Sequence, residues 1–161
     1  MTTAVFPGSF DPVTLGHVDI ARRALTFADR VVVLVAHNST KAPLLPVDTR
    51  VELWRRAVAG IGGIEVASSD GLLVDFCRSV GADVIVKGLR GGTDYDAEWP
   101  MALMNRSLTG IETVFVPGDN SLSHVASSLV RDVARHGGDV SAYVPAGVAD
   151  ALARAIHGEV E

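Results

Sequence analysis

Cysteine occurs only once in these 161 residues, at Cys77. A disulfide within the chain and a cysteine zinc site are therefore both excluded. Cys77 lies in an apolar stretch and reads as a small buried hydrophobe rather than a nucleophile. Cations are outnumbered: 14 Lys and Arg face 19 Asp and Glu, for a net charge of −5. That balance argues against broad nucleic-acid binding, which draws its affinity from clustered Lys and Arg on phosphates. The only tryptophans, Trp54 and Trp99, read as packing or interface residues rather than base-stacking platforms. Long hydrophobic runs are missing too. The longest, such as Val31–Ala36, have the length of a strand and cannot cross a bilayer. Met1 leads directly into apolar Ala4–Phe6 without a basic segment, so export is not expected and a cytoplasmic location is. There is no repeat, low-complexity tract or linker, and a single domain over residues 1–161 is expected.

Several catalytic signatures are also absent. No G-x-x-x-x-G-K-[ST] occurs, which disfavours a P-loop kinase. No G-x-G-x-x-G opens a helix after the first strand, and no G-x-S-x-G elbow is present. His37, His124, His136 and His157 lack metal-ligand spacing, and carboxylates do not cluster on the loops as a protein-held metal needs. No metal-ligating residue is assigned.

What is present is alternation. Five short β-branched stretches recur at Ala4–Phe6, Val31–Ala36, Ile64–Ala67, Val84–Lys87 and Thr113–Val116. Between them apolar residues recur at helical spacing: Val18, Ala21 and Leu25; Val51, Trp54 and Val58; Leu72, Leu73, Phe76 and Val80; Met101, Met104 and Leu108. Leu129 and Val133 mark a fifth helix, with Asp48 and Ser123 as expected N-caps. Pro100 is expected in the first turn of the fourth helix, where proline is tolerated. Gly137-Gly138 is a stop signal, and Pro145 to Ile156 is expected to form a terminal helix. Alternating strands and helices imply an α/β fold: a small doubly wound, Rossmann-like, five-stranded parallel sheet with helices on both faces. Ligands of such sheets bind beyond the carboxyl ends of the strands.

Four loops at that rim hold the unusual chemistry. After strand one, Pro7-Gly8-Ser9-Phe10-Asp11 leads to Gly16-His17 in the first turn of a helix, where unpaired N–H groups favour anions. His17 either packs that turn or donates to a phosphate. After strand two, Lys41 stands in a polar loop. After strand four, Lys87 and Arg90 lie three residues apart among glycines, an arrangement costly at a buried strand's end unless they face anions or water. After strand five, Ser127 and Ser128 open a helix, where they either cap it or bond a phosphate.

Thr14-Leu15-Gly16-His17 resembles the (H/T)-x-G-H signature of the adenylyl- and cytidylyltransferase superfamily. Val125-Ala126-Ser127-Ser128-Leu129-Val130-Arg131 resembles its second signature, I-S-S-[ST]-x-x-R. With Lys87-Gly88-Leu89-Arg90 and Met104-Asn105 between them, the pattern is similar to the bacterial phosphopantetheine adenylyltransferases over nearly the whole chain. The resemblance implies transfer of the adenylyl group of ATP to 4′-phosphopantetheine, giving dephospho-coenzyme A and pyrophosphate, by direct in-line attack. It implies catalytic roles for His17, Lys41 and Arg90. It implies nucleotide contacts by Ser9, Phe10, His17, Gly88, Leu89, Arg90 and Glu98. The same holds for Leu122, Ser123, His124, Val125, Ala126, Ser127 and Ser128. Acceptor contacts fall on Ser9, Lys41, Leu73 and Lys87. Magnesium carried with ATP, coenzyme A as a product-like inhibitor and a homohexamer are further implications. No nucleic-acid or membrane partner is expected. The sequence departs from the pattern in having Ser9 for threonine, Lys87 for arginine, Ala126 for serine and Leu122 at an often aromatic position. Two alternatives stand beside this reading. One is a related nucleotidyltransferase using glycerol 3-phosphate or nicotinate mononucleotide. The other is a non-catalytic nucleotide or coenzyme A sensor, motivated by Ala126 and Leu122.

Overall fold

A computed structural model describes residues 1–37 and 42–158. Five parallel strands form one sheet in the order β3-β2-β1-β4-β5. The strands are β1 (Thr3–Gly8), β2 (Arg30–Ala36), β3 (Ile64–Ser69), β4 (Val84–Leu89) and β5 (Glu112–Pro117). Between them lie α1 (Leu15–Ala24), α2 (Val47–Val58), α3 (Leu73–Ser79) and α4 (Gly92–Thr109). A 3₁₀ turn at Asn120–Leu122 leads to α5 (Ser127–Arg135), and α6 (Val148–Ile156) follows. This is the doubly wound α/β architecture expected from the sequence.

The two-residue period of the strands sends alternate side chains to opposite faces. Ala4, Phe6, Val31, Val33 and Val35 join the larger core, which α1, α2, α5 and α6 complete. Val5, Val32, Leu34 and Ile85 join a smaller core with Cys77 of α3. Cys77 is buried, and burial pushes its thiol up to about 11, so it stays an inert hydrophobe.

Register opens the site. β1 pairs with β2 over six positions but with β4 over only two, Ala4↔Val84 and Val5↔Ile85, both near the strands' amino ends. Toward their carboxyl ends β1 and β4 are no longer paired. Connections diverge to opposite faces at that same junction, which is the switch point where such sheets bind ligands.

Several helix ends differ from expectation. α2 has Pro46 at its N-cap, with φ of −57°, and Asp48 lies within the first turn, where its charge still suits the helix dipole. Ser123 closes the 3₁₀ turn, and Ala126 occupies the N-cap of α5. In that helix Val130 is buried, while Leu129 is half exposed. Gly147 at φ of 87° delays α6 to Val148. The largest difference is in α4, which starts at Gly92 and runs 18 residues, so Pro100 lies in its interior. Pro100 has no N–H to donate to the Asp96 carbonyl, and both residues are exposed. None of α4's residues is buried.

Candidate active site

Gly8 ends β1, and the ring of Phe10 folds back over it: a Cβ there would lie 2.8 Å from that ring. Phe10 adopts φ of 49°, the left-handed region, at a cost of roughly 1–3 kcal/mol for a non-glycine residue. Packing sustains it. The Phe10 ring meets Phe6, Trp54 and His17 edge-on, with centroids 5.2, 5.0 and 4.9 Å apart. Trp54 is fully buried, a packing residue as expected.

Thr14 caps α1, accepting at Oγ1 from the His17 N–H at 3.3 Å. In return, His17 Nδ1 accepts from the Thr14 N–H at 3.0 Å. A main-chain amide can only donate, so Nδ1 is the unprotonated nitrogen and the proton sits on Nε2. The capping box thus fixes both the orientation and the tautomer of the imidazole. Burial, then the positive charges of Arg90 and Lys87, push His17 down to about 3. His17 is therefore a neutral Nε2–H donor at physiological pH, on the wall of a cavity.

The two cations after β4 are held by carboxylates from α4. Lys87 pairs with Glu98 at 3.2 Å, both largely shielded. Arg90 donates to Asp94 from Nε and Nη2, both at 3.1 Å, and from its own N–H at 2.9 Å. Burial pushes the Asp94 carboxyl up, but the Arg90 bonds and charge outweigh it and hold Asp94 below its ordinary value. Gly88 packs against α1, where a Cβ would meet Ile20 at 2.7 Å. At the third wall, Ser127 does not cap α5; its Oγ donates to the Pro12 carbonyl at 2.8 Å. Arg131 donates to the Asp11 carbonyl at 2.7 Å. Both bonds draw the amino end of α5, without any side-chain cap, onto the turn after β1.

Two larger cavities bear on the site. The larger, about 700 Å³, is lined by Ser9, Phe10, His17, Gly88, Leu89, Arg90 and Glu98, and by Leu122, Ser123, Val125, Ala126, Ser127 and Ser128. The smaller, about 370 Å³, is lined by Leu73, with Met101, Asn105 and Thr113. They share Pro7, Gly8, Ser9, Lys87 and Glu98. His124 is not brought in; it is exposed, with its ring edge-on to Tyr143 at 5.7 Å. Lys41 lies outside the described residues. Among the described residues no three His, Cys, Asp or Glu side chains gather to hold a metal ion.

Sequence reasoning missed Asp11, Arg50 and Asp94. Asp94 reads from the sequence as part of the loop after β4, and its bonds to Arg90 follow from α4 starting at Gly92. Asp11 and Arg50 act through main-chain groups, most of them distant in sequence, and no side-chain spacing reveals them.

Fold and site together define a nucleotidyltransferase of the cytidylyltransferase-like class, and the family model of that description matches residues 5–133. The chain is 54% identical over 158 residues to a phosphopantetheine adenylyltransferase of Bifidobacterium longum, covering 97% of this chain and 95% of that one. It is 55% identical over 152 residues to the one from Leifsonia xyli, covering 92% and 96%. The chain belongs to the phosphopantetheine adenylyltransferase family. A crystal structure titled a putative nicotinate-nucleotide adenylyltransferase from Vibrio parahaemolyticus aligns over 99% of this chain and 98% of its own, with TM-score 0.70 and 19% identity. That likeness concerns the fold alone.

Proposed function

We propose that the chain transfers the adenylyl group of ATP to 4′-phosphopantetheine, releasing pyrophosphate and forming dephospho-coenzyme A. One observation carries this reading: two cavities meet at Ser9 and Lys87, beneath a neutral histidine donor. ATP, with its magnesium, takes the larger cavity, and the acceptor arm takes the smaller, past Leu73. The acceptor phosphate oxygen bonds to the α-phosphorus as the bond to the bridging oxygen of pyrophosphate breaks. The nucleophile is already an anion, so no general base is required. The barrier lies in uniting two anions in line and stabilising charge on the equatorial oxygens.

Holding both reactants supplies roughly 7–11 kcal/mol. His17 Nε2–H, together with Lys87, Arg90 and the open N–H groups of α5, faces the developing charge, and such donors are worth roughly 3–4 kcal/mol each. Asp94 and Glu98 hold the two cations ordered before substrate arrives. Lys41, matched by resemblance, adds a cation on the acceptor side. Coenzyme A, built from product, competes for the same two cavities. Self-association as a hexamer and a cytoplasmic location belong to the same reading.

Pyrophosphate release is the test, measured with ATP or CTP against 4′-phosphopantetheine, glycerol 3-phosphate and nicotinate mononucleotide. Turnover is expected with ATP and 4′-phosphopantetheine. His17→Ala should lower kcat by about 10²–10³-fold, the loss recorded for one such donor, with ATP affinity little changed. Activity with another acceptor only, or none in the unchanged protein, contradicts the reading.

A further inference from the structure

Arg50 is the only charged side chain buried among the described residues, at 2% exposure. It sits in the first turn of α2, beneath the turn that follows β1. Its guanidinium makes no ion pair within bonding distance among the described residues. Among the described residues its bonds go to main-chain carbonyls: Nε donates to Leu45 at 3.0 Å, and Nη1 to Ser9 at 2.6 Å and to Ala36 at 3.2 Å. Burial lowers its pKa, and the neighbouring Asp11 carboxylate partly restores it. Arginine stays charged even so.

A buried charge is a poor way to gain stability, because a well-packed apolar side chain of similar volume does as well or better. What this charge does is join three loops at one point. Ser9 is one of the residues that border both cavities, Ala36 ends β2, and Leu45 precedes α2. Asp11, two residues past Ser9, completes the clasp by accepting from the Leu44 and Leu45 N–H groups, both at 2.9 Å. Between the two anchors stands Phe10 in its left-handed conformation, with its ring against the His17 imidazole.

We infer that Arg50 is a positioning residue for the transfer step: it fixes the Ser9–Phe10–Asp11 turn, and through it the Ser9 hydroxyl and the His17 ring. This role presupposes the adenylyl transfer proposed above. It differs from a purely stabilising role in where a substitution shows. Loosening the turn misaligns reacting groups by a fraction of an ångström to an ångström, which falls on kcat by up to about 10²-fold. ATP binding draws also on the walls after β4 and β5 and is largely spared.

The test compares Arg50→Met, which fills similar volume without donors, and Arg50→Lys, which keeps charge but loses the fork. Steady-state kinetics with ATP and 4′-phosphopantetheine are read beside thermal unfolding and ATP titration calorimetry. Both variants are expected to unfold cooperatively and bind ATP nearly as the unchanged enzyme does. Arg50→Met should lose about 10²-fold in kcat, and Arg50→Lys should recover part of it. An active unchanged enzyme beside an equally active Arg50→Met overturns the positioning role alone. So does a loss of turnover that only tracks the loss of folded protein, or failure of both variants to fold. If the unchanged enzyme itself makes no dephospho-coenzyme A, the functional reading and this role fall together.

Discussion

His17 shows how local helix chemistry prepares a hydrogen-bond donor. A residue at the third position of a helix can close a capping box, and here that box dictates which nitrogen carries the proton. The direction of its pKa shift has a checkable consequence. With a folded value of about 3 against an ordinary 6.5, the unfolded chain binds the additional proton between those limits. His17 thus contributes stability that is full above pH 6.5 and is lost as pH falls toward 3. In the ligand-free enzyme, its ¹⁵N imidazole resonances should keep the neutral Nε2–H pattern from pH 8 to 5. A titration midpoint near 6.5 would show that neither burial nor the neighbouring cations govern this ring. At the same scale, the sequence already displayed Thr14, His17, Lys87 and Arg90 as a set. It did not show that Asp94 and Glu98 hold the two cations, because those pairings depend on α4 starting at Gly92.

Among the elements, α4 is the exception. The five strands lie where β-branched runs placed them, because both faces of a parallel sheet must be apolar. α1 and α2 follow their apolar periods for the same reason. In α4 the period is present but its side chains do not enter this chain's core: Trp99, Met101, Met104 and Leu108 are 45, 51, 60 and 52% exposed. The pattern was legible as a helix, whereas its destination was not, since spacing alone cannot say which molecule covers a face. Tyr95 stacks on Trp99 beside them, with centroids 5.4 Å apart. A contiguous apolar face of this kind marks an interaction surface, and the hexamer proposed above would cover it with further copies of the chain. Light scattering should report an assembly for the unchanged protein and a smaller species for Trp99→Glu combined with Met104→Glu. A monomeric unchanged protein, or an assembly indifferent to both charges, would contradict that assignment. The interior position of Pro100 fits the same picture of a helix held by contacts at its surface rather than by burial in its own chain.

For the whole molecule, function follows from one feature of the sheet: β1 and β4 pair at their amino ends and are unpaired at the other. Three loops brought to that opening supply a hydroxyl, a fixed imidazole, two ordered cations and an uncapped helix start, and Ser9 and Lys87 border both cavities. The doubly wound topology was readable from alternation, and most of the walls from the two signatures. The common border of the two cavities was not, because it depends on how strands separated in sequence splay apart in space. The most direct measurement is a crystal structure of the enzyme with 4′-phosphopantetheine and a non-transferable ATP analogue. The expected result is the acceptor phosphate between Ser9 and Lys87, its oxygen about 3–3.5 Å from the α-phosphorus and in line with the bridging oxygen. His17 Nε2 should donate to an oxygen of that α-phosphate. An acceptor phosphate bound away from Ser9 and Lys87, or an imidazole turned away from the nucleotide, would contradict it.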